Sequence, residues 1–245
     1  MRLRHFGALL LAAVLCSTSL AAGDDVPAEI AAKIRATLHE NAPELQIDSI
    51  HKSPLPGLYE LYTGGELLYS NDTGSLVLVG KLVDTKTREN LTEARLDDLN
   101  AIDFNSLPFD LAIKTVRGDG KRRIAVFADP LCPYCRQLEQ EMKVVTNVTV
   151  YTFLFPLEAL HPGASVKAVE IWCSQDRSEA WSKWMVQQTD PGDKRCTGAP
   201  IDKLQTLGQK LHIDSTPTLF TVDGKRTRGA IKHNQIEQLL AATQK

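Results

Sequence analysis

Apolar residues return at helical spacing just after Pro27, placing Ile30, Ile34 and Leu38 on one face. Asp24 or Asp25 can cap such a helix, Pro27 suits its first turn, and the pattern stops at Asn41-Ala42-Pro43. Three strand-like runs follow, 58–63, 66–70 and 75–84, separated by Gly64-Gly65 and Asp72-Thr73-Gly74 as hairpin turns separate strands. One helix and a three-stranded meander make a small unit with little core, which leans on a neighbour or a second copy for stability. Residues 87–104 read as a connecting helix, with Asn90 and Glu93 as a capping pair and Leu91, Ala94, Leu96 and Leu99 as apolar contacts. The stretch is short and heavily charged, which fits a rigid arm better than the first helix of the next domain.

From Ile113 the pattern changes to that of a larger α/β domain. A buried-strand run at 123–128, a helix at 135–145 and a second strand at 148–155 form a βαβ unit with a parallel pair. Residues 163–211 are mostly helical. A strand at 218–222, the tight turn Asp223-Gly224 and a partner at 225–228 form a hairpin, and a helix at 231–242 ends the pattern. There is no internal repeat. The fold class expected is α+β: a small N-terminal domain, a helical linker and an α/β domain with a helical insertion. The expected boundaries are 23–84, 85–105 and 106–245.

Composition changes this picture in one place. The first 22 residues carry Arg2 and Arg4, an apolar stretch from Gly7 to Leu15, and small residues at Ala21 and Ala22, the pattern of a cleavable export signal. The apolar stretch is too short to span a bilayer. Cys16 follows a bulky Leu15, unlike a lipid-anchor site, and is expected to leave with the signal. The whole chain of 245 residues has 30 acidic and 28 basic residues and a formal charge of −2. No basic stripe stands out, which argues against nucleic acid as a partner.

Export gives the remaining cysteines, Cys132, Cys135, Cys173 and Cys196, a setting in which disulfides persist. Cys132-Pro133-Tyr134-Cys135 stands at the end of a strand and the start of a helix. That context lets two sulfurs come within bonding reach on one helical turn, where free N–H groups and the positive end of the helix dipole favour a thiolate. Pro133 lacks an N–H where none is required. Cys132, taken as the outward residue, is the expected nucleophile, and Cys135, one turn in, the expected resolving thiol. A zinc site would need a second closely spaced pair, and Cys173 and Cys196 are too far apart in sequence to supply one. An inert CxxC disulfide is the other competing reading. Cys173 and Cys196 read as a structural disulfide, with an electron-relaying second redox pair as the rival. His51, His161, His212 and His233 lack metal-ligand spacing, and Trp172, Trp181 and Trp184 read as packing. Thr216-Pro217 opens a strand, ordinarily a boundary feature.

The run from Phe127 to Cys135, then Ile171-Trp172-Cys173, then Thr216-Pro217, together resemble the DsbC/DsbG group of periplasmic disulfide isomerases over essentially the whole chain after the signal. The resemblance implies a cystatin-like N-terminal dimerisation domain, a helical linker and a thioredoxin-fold catalytic domain. It implies a V-shaped homodimer with two active sites facing a cleft, periplasmic location, and a DsbD-like membrane protein as reductant. It also implies that Pro217 is cis and faces the CxxC pair, so that Thr216 can pair with an extended substrate chain beside Pro133 and Tyr134. Pro133-Tyr134 is similar to DsbG, whereas the Cys173 and Cys196 pair is similar to DsbC, and the extra pair outweighs the dipeptide. Val126 stands six residues before the nucleophile, where thioredoxin has a buried Asp, so deprotonation of Cys135 must be assisted by another route.

The expected function is reduction or isomerisation of incorrect disulfides in misfolded exported proteins, with no metal and no cofactor beyond the sulfurs. The alternatives are a DsbA-type oxidase, a holdase chaperone in which the thiols are secondary, and DsbG-like reduction of sulfenylated cysteines.

Overall fold

A computed structural model describes residues 26–243. The expected signal at 1–22, Cys16, and the caps Asp24 and Asp25 lie outside the described residues. Two compact units divide them, one comprising residues up to Leu61 with Tyr69–Leu78, the other Tyr62–Leu68 with everything from Val79 on. No helix among the described residues is long and apolar enough to cross a membrane.

Helix α1 (Ala28–Asn41) buries Ile34 and Leu38, and Pro27 stands at its N-cap without a side-chain cap. The sheet that follows has four strands rather than the three expected, in the order β1 (Ser49–Lys52), β2 (Tyr59–Thr63), β3 (Glu66–Ser70), β4 (Val77–Leu78). Strand β1, Ser-Ile-His-Lys, is too polar to stand out by alternation. Strand β4 is two residues rather than ten, because Leu76, Val77 and Leu78 have no core to cover them and Gly80 follows.

The connecting helix α2 (Leu91–Leu99) is half the expected length. The Asn90 side chain accepts from the Glu93 N–H at its start, as the capping pair requires. After two short 3-10 turns the chain enters a five-stranded sheet of order β5-β7-β6-β8-β9, with β5 Ile113–Arg117, β6 Arg122–Ala128, β7 Val148–Leu154, β8 Thr218–Thr221 and β9 Arg226–Arg228. Strands β6 and β7 are parallel, and every other pair in this sheet is antiparallel. β6 lies between two partners, and Ile124 to Ala128 are buried without alternation, as a central strand covered on both faces requires. Phe127 stacks on Phe153 at 4.8 Å and meets Phe155 and Phe220 edge-on, which locks the inner strands together.

Helix α3 (Pro133–Met142) follows β6 and contacts α7 (His233–Ala242). The insertion between β7 and β8 consists of α4 (Ala164–Trp172), α5 (Arg177–Ser182) running into a π turn at Lys183–Gln187, an irregular stretch, and α6 (Ile201–Lys210). The turn after β8 is held by Ile102, whose N–H donates to the Gly224 carbonyl at 3.1 Å. Gly224 has φ +82°, and a Cβ there would lie 2.0 Å from the Ile102 oxygen, so only glycine fits.

Candidate active site

The apolar run of β6 ends at Ala128, and Asp129-Pro130-Leu131 turns the chain into α3. Cys132 is the N-cap of that helix and Pro133 its first residue. The Cys132 N–H donates to the Asp129 carbonyl at 3.2 Å, and the Cys132 carbonyl accepts the first helical bond, from Arg136. The buried face of α3 carries Cys135, Leu138, Glu139 and Met142, so Cys135 points inward by helical periodicity. Tyr134 projects outward and is 62% exposed. Cys132 is not the outward residue that its position suggests: it is 3% exposed against 2% for Cys135.

Surface exposure does not separate the two sulfurs, but hydrogen bonding and depth of burial do. Both are free. The Cys135 thiol donates to Cys132, and this, with smaller help from the Cys135 N–H, the Thr216 hydroxyl and the Tyr134 N–H, overcomes burial and draws Cys132 down from an ordinary 9.0 to about 5. Cys135 is driven far up, first by burial and then by its neighbour, and its own partners oppose this only weakly. At neutral pH the site therefore holds one thiolate and one thiol.

Thr216-Pro217 is a cis peptide, and the Thr216 carbonyl oxygen lies 3.3 Å from Cys132 Sγ, close enough to accept from it when it is a thiol. The structure thus brings Cys132, Cys135, Pro133, Tyr134 and the Thr216-Pro217 pair into one place. It joins Cys173, the C-cap of α4, to Cys196 in a disulfide with Cα atoms 5.5 Å apart.

Several residues at the site escape a reading of the sequence. The Asp129 carboxylate is wholly buried. Its Oδ1 accepts from the Leu131 N–H and its Oδ2 from the Leu157 N–H, both at 2.7 Å, and His161 Nδ1 donates to Oδ2 at 2.9 Å. The Asp129 N–H points at Cys135 Sγ, 3.4 Å away. The Trp184 indole donates to the Pro130 carbonyl at 2.7 Å, and Trp181 donates to Glu139, which also pairs with Arg117 at 2.9 Å. These tryptophans do pack, as expected, and they also tie the insertion to the nucleophile loop and to α3. The only available signal was an Asp ending an otherwise apolar strand, three residues before the first cysteine. Among the described residues no group of His, Cys, Asp or Glu could hold a metal ion.

A thiolate at a helix N-terminus beside a buried thiol is the equipment for two-step thiol–disulfide exchange. Comparison with known proteins gives the same direction. Residues 109–244 match the family model of a thioredoxin-like domain, and residues 23–93 match that of the disulfide bond isomerase protein N-terminal domain. The chain is 38% identical over 214 residues to a probable thiol:disulfide interchange protein DsbC of Bordetella avium, covering 87% of this chain and 76% of that protein. A similarly named protein of Bordetella pertussis is 39% identical, with 79% and 68% covered. Among solved structures, a disulfide interchange protein from Neisseria gonorrhoeae is 40% identical with a TM-score of 0.55, covering 57% of this chain and 99% of that one.

Proposed function

The chain belongs to the DsbC family of thiol:disulfide interchange proteins, and on that premise we propose that it reduces or isomerises incorrect disulfides in exported proteins. The observation that carries this reading is the division of charge between the two sulfurs, a Cys132 thiol drawn down to about 5 beside a Cys135 thiol driven up. Cys132 as thiolate attacks one sulfur of a substrate disulfide, and the other leaves as a thiolate. That freed sulfur attacks another disulfide of the substrate and liberates a new substrate thiolate, which attacks the mixed disulfide and displaces Cys132 as a thiolate, so that the substrate's disulfides are rearranged with no net oxidation or reduction. Alternatively Cys135 attacks the mixed disulfide and releases a reduced substrate. Thr216 offers its backbone, and Pro133 and Tyr134 their surface, to the substrate chain around the bond being exchanged.

The working arrangement we propose has a signal at 1–22 that directs export to the periplasm, a dimerisation domain at 23–84, a linker at 85–105 and a catalytic domain at 106–245. A DsbD-like membrane reductant returns the pair to the dithiol, and Cys173–Cys196 is structural. The homodimer is supported by strand β4, which ends its sheet and exposes Leu76, Val77 and Leu78. Trapping tests the roles of the cysteines. With an oxidised, misfolded substrate, Cys135→Ser is expected to accumulate a mixed disulfide and Cys132→Ser to form none. The reverse pattern would overturn the assignment.

A further inference from the structure

Resolution is the harder half of the chemistry at this site. Cys135 must lose its proton to attack the Cys132–substrate disulfide, yet it is nearly inaccessible, and burial disfavours a thiolate. The main-chain donor that reaches its sulfur is the Asp129 N–H at 3.4 Å. That N–H is aimed by a turn that the Trp184 indole holds at the Pro130 carbonyl and whose remaining anchors involve Asp129. Its carbonyl accepts from the Cys132 N–H, and its carboxylate accepts from Leu131 on the nucleophile side and from Leu157 and His161 on the far side. Burying a carboxylate is costly unless both oxygens are bonded. Here both are bonded, and the partners are the segments that flank the dithiol.

We propose that Asp129 is a positioning residue for the resolving step, its buried carboxylate holding its own N–H on Cys135 Sγ so that the Cys135 thiolate is stabilised when it forms. The proposal rests on the assignment of Cys132 as nucleophile and Cys135 as resolving thiol. In that step the Cys135–Cys132 bond forms and the Cys132–substrate bond breaks. The electron pair leaves on the substrate sulfur, which takes up the proton that Cys135 gives up, and no other oxidant or reductant takes part. His161 is the outer half of the device: it reaches the carboxylate from a side chain that is 24% exposed and touches neither cysteine through any bond described.

The test is stopped-flow reaction of the fully reduced protein with dithiobis(2-nitrobenzoate), which releases one coloured thiolate when Cys132 attacks and a second when Cys135 resolves. Asp129→Asn keeps the shape and loses one acceptor. It is expected to lower the ratio of the second rate to the first by about tenfold, the scale of one hydrogen bond to a charged group. His161→Ala is expected to lower the same ratio by a smaller factor, and His161→Gln, which can donate to the same oxygen, to restore it. A merely structural Asp129 would slow both phases together or shift only the melting temperature, and either result overturns the proposal, as does an unchanged ratio. Should Asp129→Asn fail to fold by circular dichroism, the His161→Ala and His161→Gln pair decides by the same ratio. Cys132→Ser is the control for the roles. Release of the coloured thiolate by that variant would overturn the assignment of the nucleophile, a failure distinct from that of the Asp129 claim.

Discussion

Cys132 and Cys135 share one helical turn and almost the same surface exposure, yet the Cys135 thiol and the helix start serve Cys132, while Cys135 lies deeper and receives chiefly the cost of burial. Alkylation of Cys132 by iodoacetamide should therefore stay fast from neutral pH down and fall off only as the pH passes through about 5. A profile that instead climbs up to about 9, as for an ordinary thiol, would contradict the geometry. The same lowering bears on stability. The folded value lies below the unfolded one, so the contribution is fully present above 9.0 and is lost as the pH falls through about 5. The melting temperature of the reduced protein should thus rise relative to the oxidised protein between pH 5 and pH 9. At this scale the sequence is legible where chemistry is written as spacing: the CxxC at a strand–helix junction and the Thr216-Pro217 step are found together in the structure. Asp129 and His161 are not legible, because they lie far apart in sequence and meet only through the parallel pairing of β6 with β7, which sets Ala128 opposite Leu154.

Strands and helices with strong periodicity, α1, β6, β7 and α7, fall close to where the pattern places them. The departures have local causes: the polarity of β1, the lack of cover over β4, and a 87–104 stretch whose helix stops at Leu99. Packing details within elements are set by tertiary neighbours and leave no trace in the sequence. Gly208 in α6 lies against Phe155, and a Cβ there would stand 2.1 Å from the ring. Gly208→Ala should destabilise the protein by about 1–3 kcal/mol through overpacking, read by urea denaturation. The Cys173–Cys196 bond encloses part of the insertion that carries Trp181 and Trp184. Replacing both cysteines with Ala should cost about 3 kcal/mol by the chain-entropy account and lower the melting temperature. The iodoacetamide profile of Cys132 should stay in place, because no hydrogen bond described joins Cys173 or Cys196 to either active-site sulfur. A moved profile would revive the reading of a second redox pair.

For the whole molecule, the order of a small sheet unit, a short helix and a larger α/β unit was readable from changes of period along the chain, and the family models match in that same order. The proposed dimer rests on the uncovered strand β4. Replacing Leu76 and Leu78 with Lys should convert the proposed dimer to a monomer by sedimentation while sparing Cys132 reactivity toward small disulfides. A wild-type protein that sediments as a monomer would remove the dimer from the account. The most direct test of the central claim is reactivation of a scrambled multi-disulfide protein by the mature chain in a mildly reducing buffer, beside Cys132→Ser. Recovery of activity that vanishes in Cys132→Ser is the expected result. No recovery, with rapid oxidation of a reduced substrate instead, would contradict the claim and make the protein an oxidase.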